Sequence, residues 1–95
     1  MSALQDAKSA CARVETHIRD AYDDLGIDHW ADLDSLGRMN LIMEIEDGED
    51  CNLPLQVGEE PTEAEFIRAV MGTLYPDVSD TAYYTRTAHG VTFRG

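Results

Sequence analysis

The sequence predicts an all-α fold: a four-helix bundle of three main helices and one short helix, with an extra C-terminal tail or small hairpin. Two observations support this prediction. Apolar residues recur at three- and four-residue steps in three segments, and residues that form turns separate those segments. A chain of 95 residues is expected to bury ~60–65% of its unfolded surface, enough for a modest core without disulfides. We therefore expect one helical domain, residues 1–76, and an extension, residues 77–95.

The first segment is predicted to form a long amphipathic helix through Leu25, because its apolar positions follow one helical face. These positions are Leu4, Ala7, Cys11, Val14, Ile18, Ala21 and Leu25. Gly26 is a suitable C-cap residue, since glycine readily takes the left-handed conformation. The same spacing suits a coiled coil, but three heptads with small residues at Ala7 and Ala21 favour packing inside a bundle.

The connection over residues 27–33 contains the single tryptophan, Trp30. We expect Trp30 to cover one end of the bundle as a core residue. Asp32 and the residues after it match part of a calcium-binding EF-hand loop, but the position of the bidentate glutamate is occupied by Met43. The sequence therefore predicts no metal site.

A second helix is predicted from about Ser35 to Asp47, with Asp34 as its N-cap. Its apolar residues have helical spacing and are expected to form one broad buried face: Leu36, Met39, Leu41, Ile42, Met43 and Ile45. Ser35 lies in the first turn. The unpaired backbone N–H groups and the helix dipole there favour a covalently attached phosphate.

The remaining chain predicts a short helical turn over Leu55–Gly58 and a last main helix that ends near Tyr75-Pro76. Thr62 and Glu65 have the spacing of a capping box before that helix. Its core positions are Phe66, Ile67, Val70, Met71 and Leu74. In the extension, alternation on either side of His89-Gly90 fits a small hairpin, and a frayed tail fits equally well.

Charge and composition limit the functions that this chain can have. The formal net charge is −12, and residues 20–65 hold fifteen acidic residues and one basic residue, Arg38. Such a surface repels nucleic acid and favours basic patches on other proteins, although solubility alone would also explain it. The longest apolar runs are far too short to span a bilayer. The two cysteines have no metal-type spacing, so we expect free thiols in a reducing cytoplasm. We also expect a monomer.

The stretch around Ser35 resembles the prosthetic-group site of acyl carrier proteins. Asp34-Ser35-Leu36 is similar to the family's Asp-Ser-Leu motif, the following apolar pattern to its second helix, and Leu53-Pro54 to an aliphatic-proline step. The acidic residues Glu44, Glu46 and Asp47 look like its recognition face. The resemblance covers roughly residues 6–74.

The resemblance implies a 4′-phosphopantetheine arm on Ser35, attached by a phosphopantetheinyl transferase, and acyl cargo carried as a thioester. It also implies roles for the residues around Ser35. Asp34 would fix the helix start and help to position the transferase's magnesium, and Leu36 and Met39 would pack beside the base of the arm. Partner contacts would come from Arg38, Met39, Glu44, Glu46 and Asp47, and the partners would be acyl- or aminoacyl-loading and acyl-transfer enzymes with basic docking patches.

The chain also departs from the family pattern. Arg38 is basic where the surface is usually acidic, Asn40 replaces a common glutamate, and Gly48-Glu49 replaces a stretch that usually includes a large apolar residue. The loop before Ser35 is shorter than usual. The short loop and the C-terminal extension together suggest a specialised fatty-acid or polyketide-type pathway.

Two alternatives to an acyl carrier are open. One is a freestanding aminoacyl or peptidyl carrier, although the Asp-Ser-Leu form favours an acyl carrier. The other is an acidic helical adaptor without a prosthetic group, in which Ser35 is an ordinary helix-start serine. We do not expect an enzyme, because the sequence has no nucleophile elbow, no phosphate loop and no recognisable base beside its histidines.

Overall fold

The computed structural model describes residues 3–79, which form three α-helices and two short 3-10 turns. The α-helices are α1 (Ala3–Leu25), α2 (Ser35–Glu49) and α3 (Glu63–Leu74), and the 3-10 turns are Trp30–Asp32 and Leu55–Glu59. Residues 3–79 contain no strand, so the all-α prediction is confirmed for them. At the predicted short helix the chain forms the second 3-10 turn. The predicted tail or hairpin lies mostly outside the described residues.

Helix α1 packs one apolar face against both α2 and α3. Ala7, Ala10, Val14 and Ile18 on this face are almost completely buried. The helix ends at Gly26 in the left-handed conformation, with φ of 68°. The Ile27 N–H donates to the Tyr22 carbonyl at 3.0 Å and the Gly26 N–H to the Asp23 carbonyl at 3.3 Å, which is the Schellman arrangement. The predicted C-cap is therefore confirmed.

Helix α3 supplies the centre of the core. Phe66, Ile67, Val70 and Met71 are fully buried. The Phe66 ring lies 4.6 Å from the Trp30 ring, centroid to centroid, and the indole N–H of Trp30 donates to the Glu60 carbonyl at 2.8 Å. The prediction that Trp30 is a core residue is confirmed.

The boundaries of α3 also follow the sequence. The Thr62 hydroxyl accepts from the Glu65 N–H at 3.1 Å, as the predicted cap requires. The helix ends at Leu74, just before Pro76. None of the helices in residues 3–79 has both the length and the apolar character needed to cross a membrane.

The burial predicted for α2 was partly wrong. Leu41, Ile42 and Ile45 are buried as expected, but the other three apolar side chains are exposed: Leu36 by 65%, Met39 by 47% and Met43 by 57%. The physical reason is the helical repeat of 3.6 residues, which puts positions 36, 39 and 43 on one side of the helix and positions 41, 42 and 45 on the other. Only the second side meets the core.

Candidate functional site

Ser35 is the first residue of α2 and is exposed to solvent. Asp34 precedes it in an extended conformation, and the Asp34 carboxylate accepts from the Gly37 N–H at 2.8 Å. The predicted N-cap is therefore confirmed. Within residues 3–79 the Ser35 hydroxyl has no hydrogen-bond partner. It is a free hydroxyl at the positive end of a helix dipole, where an attached anion is stabilised.

Gly37 lets the first turn of α2 pack closely on the preceding loop. A Cβ atom at this position would lie 2.7 Å from Leu33 Cδ1 and 3.2 Å from the Asp34 carboxylate. A side chain here would therefore disturb both the Leu33 packing and the cap beside Ser35. The sequence places Gly37 inside a predicted helix, where glycine is normally unfavourable, and this was the available signal for a close approach.

Two cavities flank Ser35. The larger, of about 390 Å³, lies between the end of α1, the following loop and the start of α2, and its lining includes Asp34 and Leu36. The smaller, of about 230 Å³, lies between α2 and the second 3-10 turn, and Ser35 itself lines it. A group attached to Ser35 therefore has open space on both sides. The sequence did not indicate either cavity, because each is formed by elements that are distant in the chain.

An exposed apolar surface extends from Ser35 along α2. It consists of the side chains of Leu36, Met39 and Met43 from α2 and of Leu55 from the second 3-10 turn, which lines the smaller cavity together with Met39. The resemblance implies that Leu36 and Met39 pack beside the base of an attached arm, which stays a prediction; both side chains are exposed. Leu55, which is 69% exposed, was not predicted as a surface residue.

Arg38 points inward and connects three segments. Its guanidinium carbon lies 4.6 Å from the centroid of the Trp30 ring. One terminal nitrogen donates to the Gly58 carbonyl at 3.1 Å and, more weakly, to the Glu60 carbonyl at 3.4 Å, and the other donates to the Trp30 carbonyl at 3.1 Å. The Nε atom is buried without a partner among the described residues. The predicted partner-binding role of Arg38 stays a prediction, but the guanidinium already has a structural role.

The three acidic residues predicted to meet partners have different environments. Glu44 and Asp47 are exposed, and the Glu44 carboxylate lies 3.9 Å from Nδ1 of His17. The half-buried carboxylate of Glu46 accepts from the Leu53 N–H at 2.7 Å. Glu46 therefore fixes the turn that follows α2, and Glu44 and Asp47 are the two that are presented to solvent.

The far end of α2 is tied to α1 by an ion pair. Arg13 Nε lies 2.7 Å from one oxygen of Glu49 and Nη2 lies 2.9 Å from the other. The hydrogen bond from Arg13 lowers the pKa of Glu49, against the opposing effect of burial. Burial, together with the neighbouring acidic residues Glu46, Glu49 and Asp50, raises the pKa of the Cys51 thiol.

Both cysteines are free, as predicted, with Cys11 buried and Cys51 half-buried. A raised thiol pKa reduces the fraction of reactive thiolate, so Cys51 is not an activated nucleophile. Within residues 3–79 no group of three or more His, Cys, Asp or Glu side chains is arranged to hold a metal ion.

The fold and site together define a small acidic helical protein with an exposed serine at the start of a capped helix. Comparisons of this chain with protein-family models, curated protein sequences and solved structures found no significant match.

Proposed function

We propose that this protein is a carrier that holds acyl-type intermediates as thioesters on a 4′-phosphopantetheine arm attached to Ser35. The observation that carries the proposal is the position of the Ser35 hydroxyl. It is exposed, free of hydrogen bonds within residues 3–79, and located at the first residue of a helix capped by Asp34. A transferase can reach such a hydroxyl without unfolding the chain.

The residues around Ser35 fit this prosthetic group. The first turn of α2 offers unpaired N–H groups to a phosphodiester, and open cavities lie on both sides of the serine. Leu36 and Met39 supply apolar contacts for the arm. When bound, the arm supplies a terminal thiol that holds the cargo as a thioester.

Attachment needs only a nucleophile from this chain. Ser35 Oγ forms the new bond to phosphorus, a P–O bond of the coenzyme A diphosphate breaks, and adenosine 3′,5′-bisphosphate leaves. The hydroxyl proton passes to the transferase. One Asp34 oxygen accepts from Gly37, so the other is available to the magnesium ion that such a transferase uses.

The partner-facing residues extend along α2 from the attachment point. Glu44 and Asp47 would meet basic side chains of loading and transfer enzymes, next to the exposed apolar surface of Leu36, Met39, Met43 and Leu55. Exposed ion pairs each contribute little and are screened by salt. A carrier that must leave one enzyme for the next benefits from such weak contacts.

Two finer points belong to this proposal. In the four-helix arrangement of a carrier, the 3-10 turn over Leu55–Glu59 would stand in place of the short helix. The shortened loop before Ser35 and the residues after 77 support a specialised fatty-acid or polyketide-type pathway.

The exposed apolar surface also suits an acidic adaptor that binds a protein partner without any prosthetic group. One experiment separates the two functions. The purified protein is incubated with coenzyme A, magnesium and a broad-specificity phosphopantetheinyl transferase, and its intact mass is measured. We expect one phosphopantetheine adduct on the parent and on Ser9→Ala, an exposed serine of α1, and none on Ser35→Ala.

Because Ser35 is exposed, Ser35→Ala should keep the native circular dichroism spectrum. If the folded parent gains no adduct with several transferases, the carrier function is wrong and the adaptor is favoured.

A further inference from the structure

The last fifteen residues of the chain differ from the rest in charge. All 19 acidic residues lie within residues 1–80, and residues 81–95 contain none. The same segment holds two arginines, Arg86 and Arg94, and three of the chain's seven Phe, Tyr and Trp residues, which are Tyr83, Tyr84 and Phe93. It is therefore a cationic and aromatic segment joined to a strongly acidic helical body.

The exposed apolar surface beside Ser35 has the complementary character. Its four side chains are between 47% and 69% exposed, and the charged residues that α2 exposes beside them are Glu44 and Asp47. Arg38 is the one basic residue of α2, and its guanidinium is already bonded to the carbonyls of Gly58 and Trp30. A ligand that matches this surface therefore combines apolar side chains with positive charge.

A second copy of α2 is a poor match for the same surface. In a two-fold contact the same residues of both chains face each other. Glu44 and Asp47 would then meet their own counterparts, between chains that each have a formal net charge of −12. This repulsion opposes pairing of two such surfaces, whereas residues 81–95 carry the opposite sign of charge.

The described chain ends close to the end of α2 that lies opposite Ser35. Tyr75, just after α3, packs against the core. The hydrogen bond to Glu49 and, in addition, the Tyr75 side chain raise the pKa of Arg13, so the ends of α2 and α3 both lie near Arg13. From Glu49 back to Leu36 the helix rises about 20 Å, and an extended chain as long as residues 80–95 spans about 50 Å. The segment is therefore long enough to run along the whole surface.

We propose that residues 81–95 dock on the exposed apolar surface beside Ser35 of the same chain. The anchors are the three aromatic side chains of the segment, and its two arginines lie beside the carboxylates of Glu44 and Asp47. The contact combines burial of aromatic area with weak, exposed ion pairs. A protein partner that uses this surface must therefore displace the segment first. The inference does not depend on a prosthetic group at Ser35.

The test uses the methionine methyl groups of the full chain as probes. Met39 and Met43 belong to the surface, whereas Met71 is fully buried in α3 and reports on the core. Protein labelled with methyl-¹³C methionine is compared with a variant that lacks the three anchors, Tyr83→Ser/Tyr84→Ser/Phe93→Ser. Rings packed on a methionine methyl group shift its proton signal, so the Met39 and Met43 signals should move in the variant. The Met71 signal should stay in place.

Matched variants separate the aromatic from the charge contribution. The aromatic control replaces three threonines of the same segment and should keep the parental signals: Thr85→Ala/Thr87→Ala/Thr92→Ala. Arg86→Gln/Arg94→Gln should weaken docking and move the Met39 and Met43 signals part of the way toward those of the serine variant. Lys8→Gln/Arg19→Gln removes the same formal charge from exposed positions of α1 and should not move them.

Three results would overturn the proposal. The first is identical Met39 and Met43 signals in the parent and the serine variant, since the segment would then not contact this surface. The second is an equal effect of the two charge variants, which would reduce the effect to overall charge. The third comes from mixing the labelled serine variant with unlabelled parent. Parental signals in that mixture would mean that the segment binds a second copy, whereas docking within one chain leaves the signals of the labelled variant unchanged.

Discussion

Helices α2 and α3 are both rich in apolar residues but use them differently. In α3 the apolar side chains Phe66, Ile67, Val70 and Met71 share one fully buried face. In α2 they are divided between a buried side and the exposed apolar surface around Ser35. Helix α3 therefore uses its apolar side chains only for the core. Helix α2 packs one side against the core and presents the other to solvent beside Ser35, the candidate attachment residue.

The difference shows what each helix can tolerate. Truncation of a large side chain on the buried face of α3 leaves a cavity and therefore lowers the stability of the fold. An exposed methionine on α2 contributes little to folding, since it is already in contact with water. Exposed apolar residues that contribute little to the stability of the fold are good candidates for contacts with a partner or an attached arm.

The largest expected effect tests this difference directly. Phe66→Ala should lower the free energy of unfolding by about 3–5 kcal/mol, because it removes a fully buried ring that packs on Trp30. Met43→Ala, on the exposed side of α2, should change it by less than ~0.5 kcal/mol. Urea unfolding followed by far-ultraviolet circular dichroism measures both.

Phe66→Leu keeps part of the side-chain volume, so its free energy of unfolding should fall clearly less than that of Phe66→Ala. It also keeps the test usable if Phe66→Ala does not fold. The comparison between the helices breaks down if Met43→Ala costs as much as Phe66→Ala, since Met43 would then be part of the folded core.

A smaller effect is expected at Arg38, which belongs to α2 but acts like a core residue. Arg38→Met keeps the aliphatic stem and removes the donors to the carbonyls of Trp30, Gly58 and Glu60. We expect the free energy of unfolding to fall by ~1–3 kcal/mol, because the half-buried Gly58 carbonyl loses its donor. The carbonyls of Trp30 and Glu60 lose the guanidinium but keep the Leu33 N–H and the indole N–H as donors. Arg38→Lys should retain only a small part of the stability that Arg38→Met loses, since one ammonium group cannot reach the same set of acceptors.

The fluorescence of Trp30, the single tryptophan, reports both unfolding and the loss of the guanidinium over its ring. Lys8→Met removes an exposed cation of α1 and is the matched control. Equal stability of Arg38→Met and Lys8→Met would mean that Arg38 does not hold these segments together, and would leave only its predicted role toward partners.

Local patterns made most of the fold predictable. The three main helices, the Asp34 and Thr62 caps, the left-handed Gly26 and the core position of Trp30 all depend on residues close together in the chain, and the structure confirms each. The site was harder to predict. Periodicity identified an apolar α2 but could not tell which of its two apolar sides meets the core, because that depends on α1 and α3.

Charged residues were the least predictable part of the site. Arg38 and Glu46 look like surface residues in the sequence, but each is engaged by backbone groups from a segment at least seven positions away. Their roles depend on where the 3-10 turn and the Leu53 turn come to lie. The larger cavity beside Ser35 likewise combines α1, the following loop and α2, and only the folded chain brings its lining residues together.

The smallest expected effect concerns what holds α2 at the end opposite Ser35. Glu49 is nearly buried, with 6% of its side chain exposed, but its partner Arg13 is 51% exposed, so solvent weakens the pair. Arg13→Gln should therefore cost only about 0.5–1 kcal/mol at pH 7. Arg19→Gln, at an exposed position of α1 without a salt bridge in residues 3–79, should cost less.

The pH dependence identifies the cause of this loss. Arg13 holds the pKa of Glu49 below its ordinary value of 4.5 in the folded protein. The stabilisation is therefore complete above that ordinary value and is lost as the pH falls through the lowered folded-state pKa. The unfolding free energies of the parent and Arg13→Gln should converge in acid and in high salt. A difference that persists unchanged at low pH would assign the effect to packing of the arginine stem, and α2 would then be held at this end by apolar contacts, as it is along its buried side.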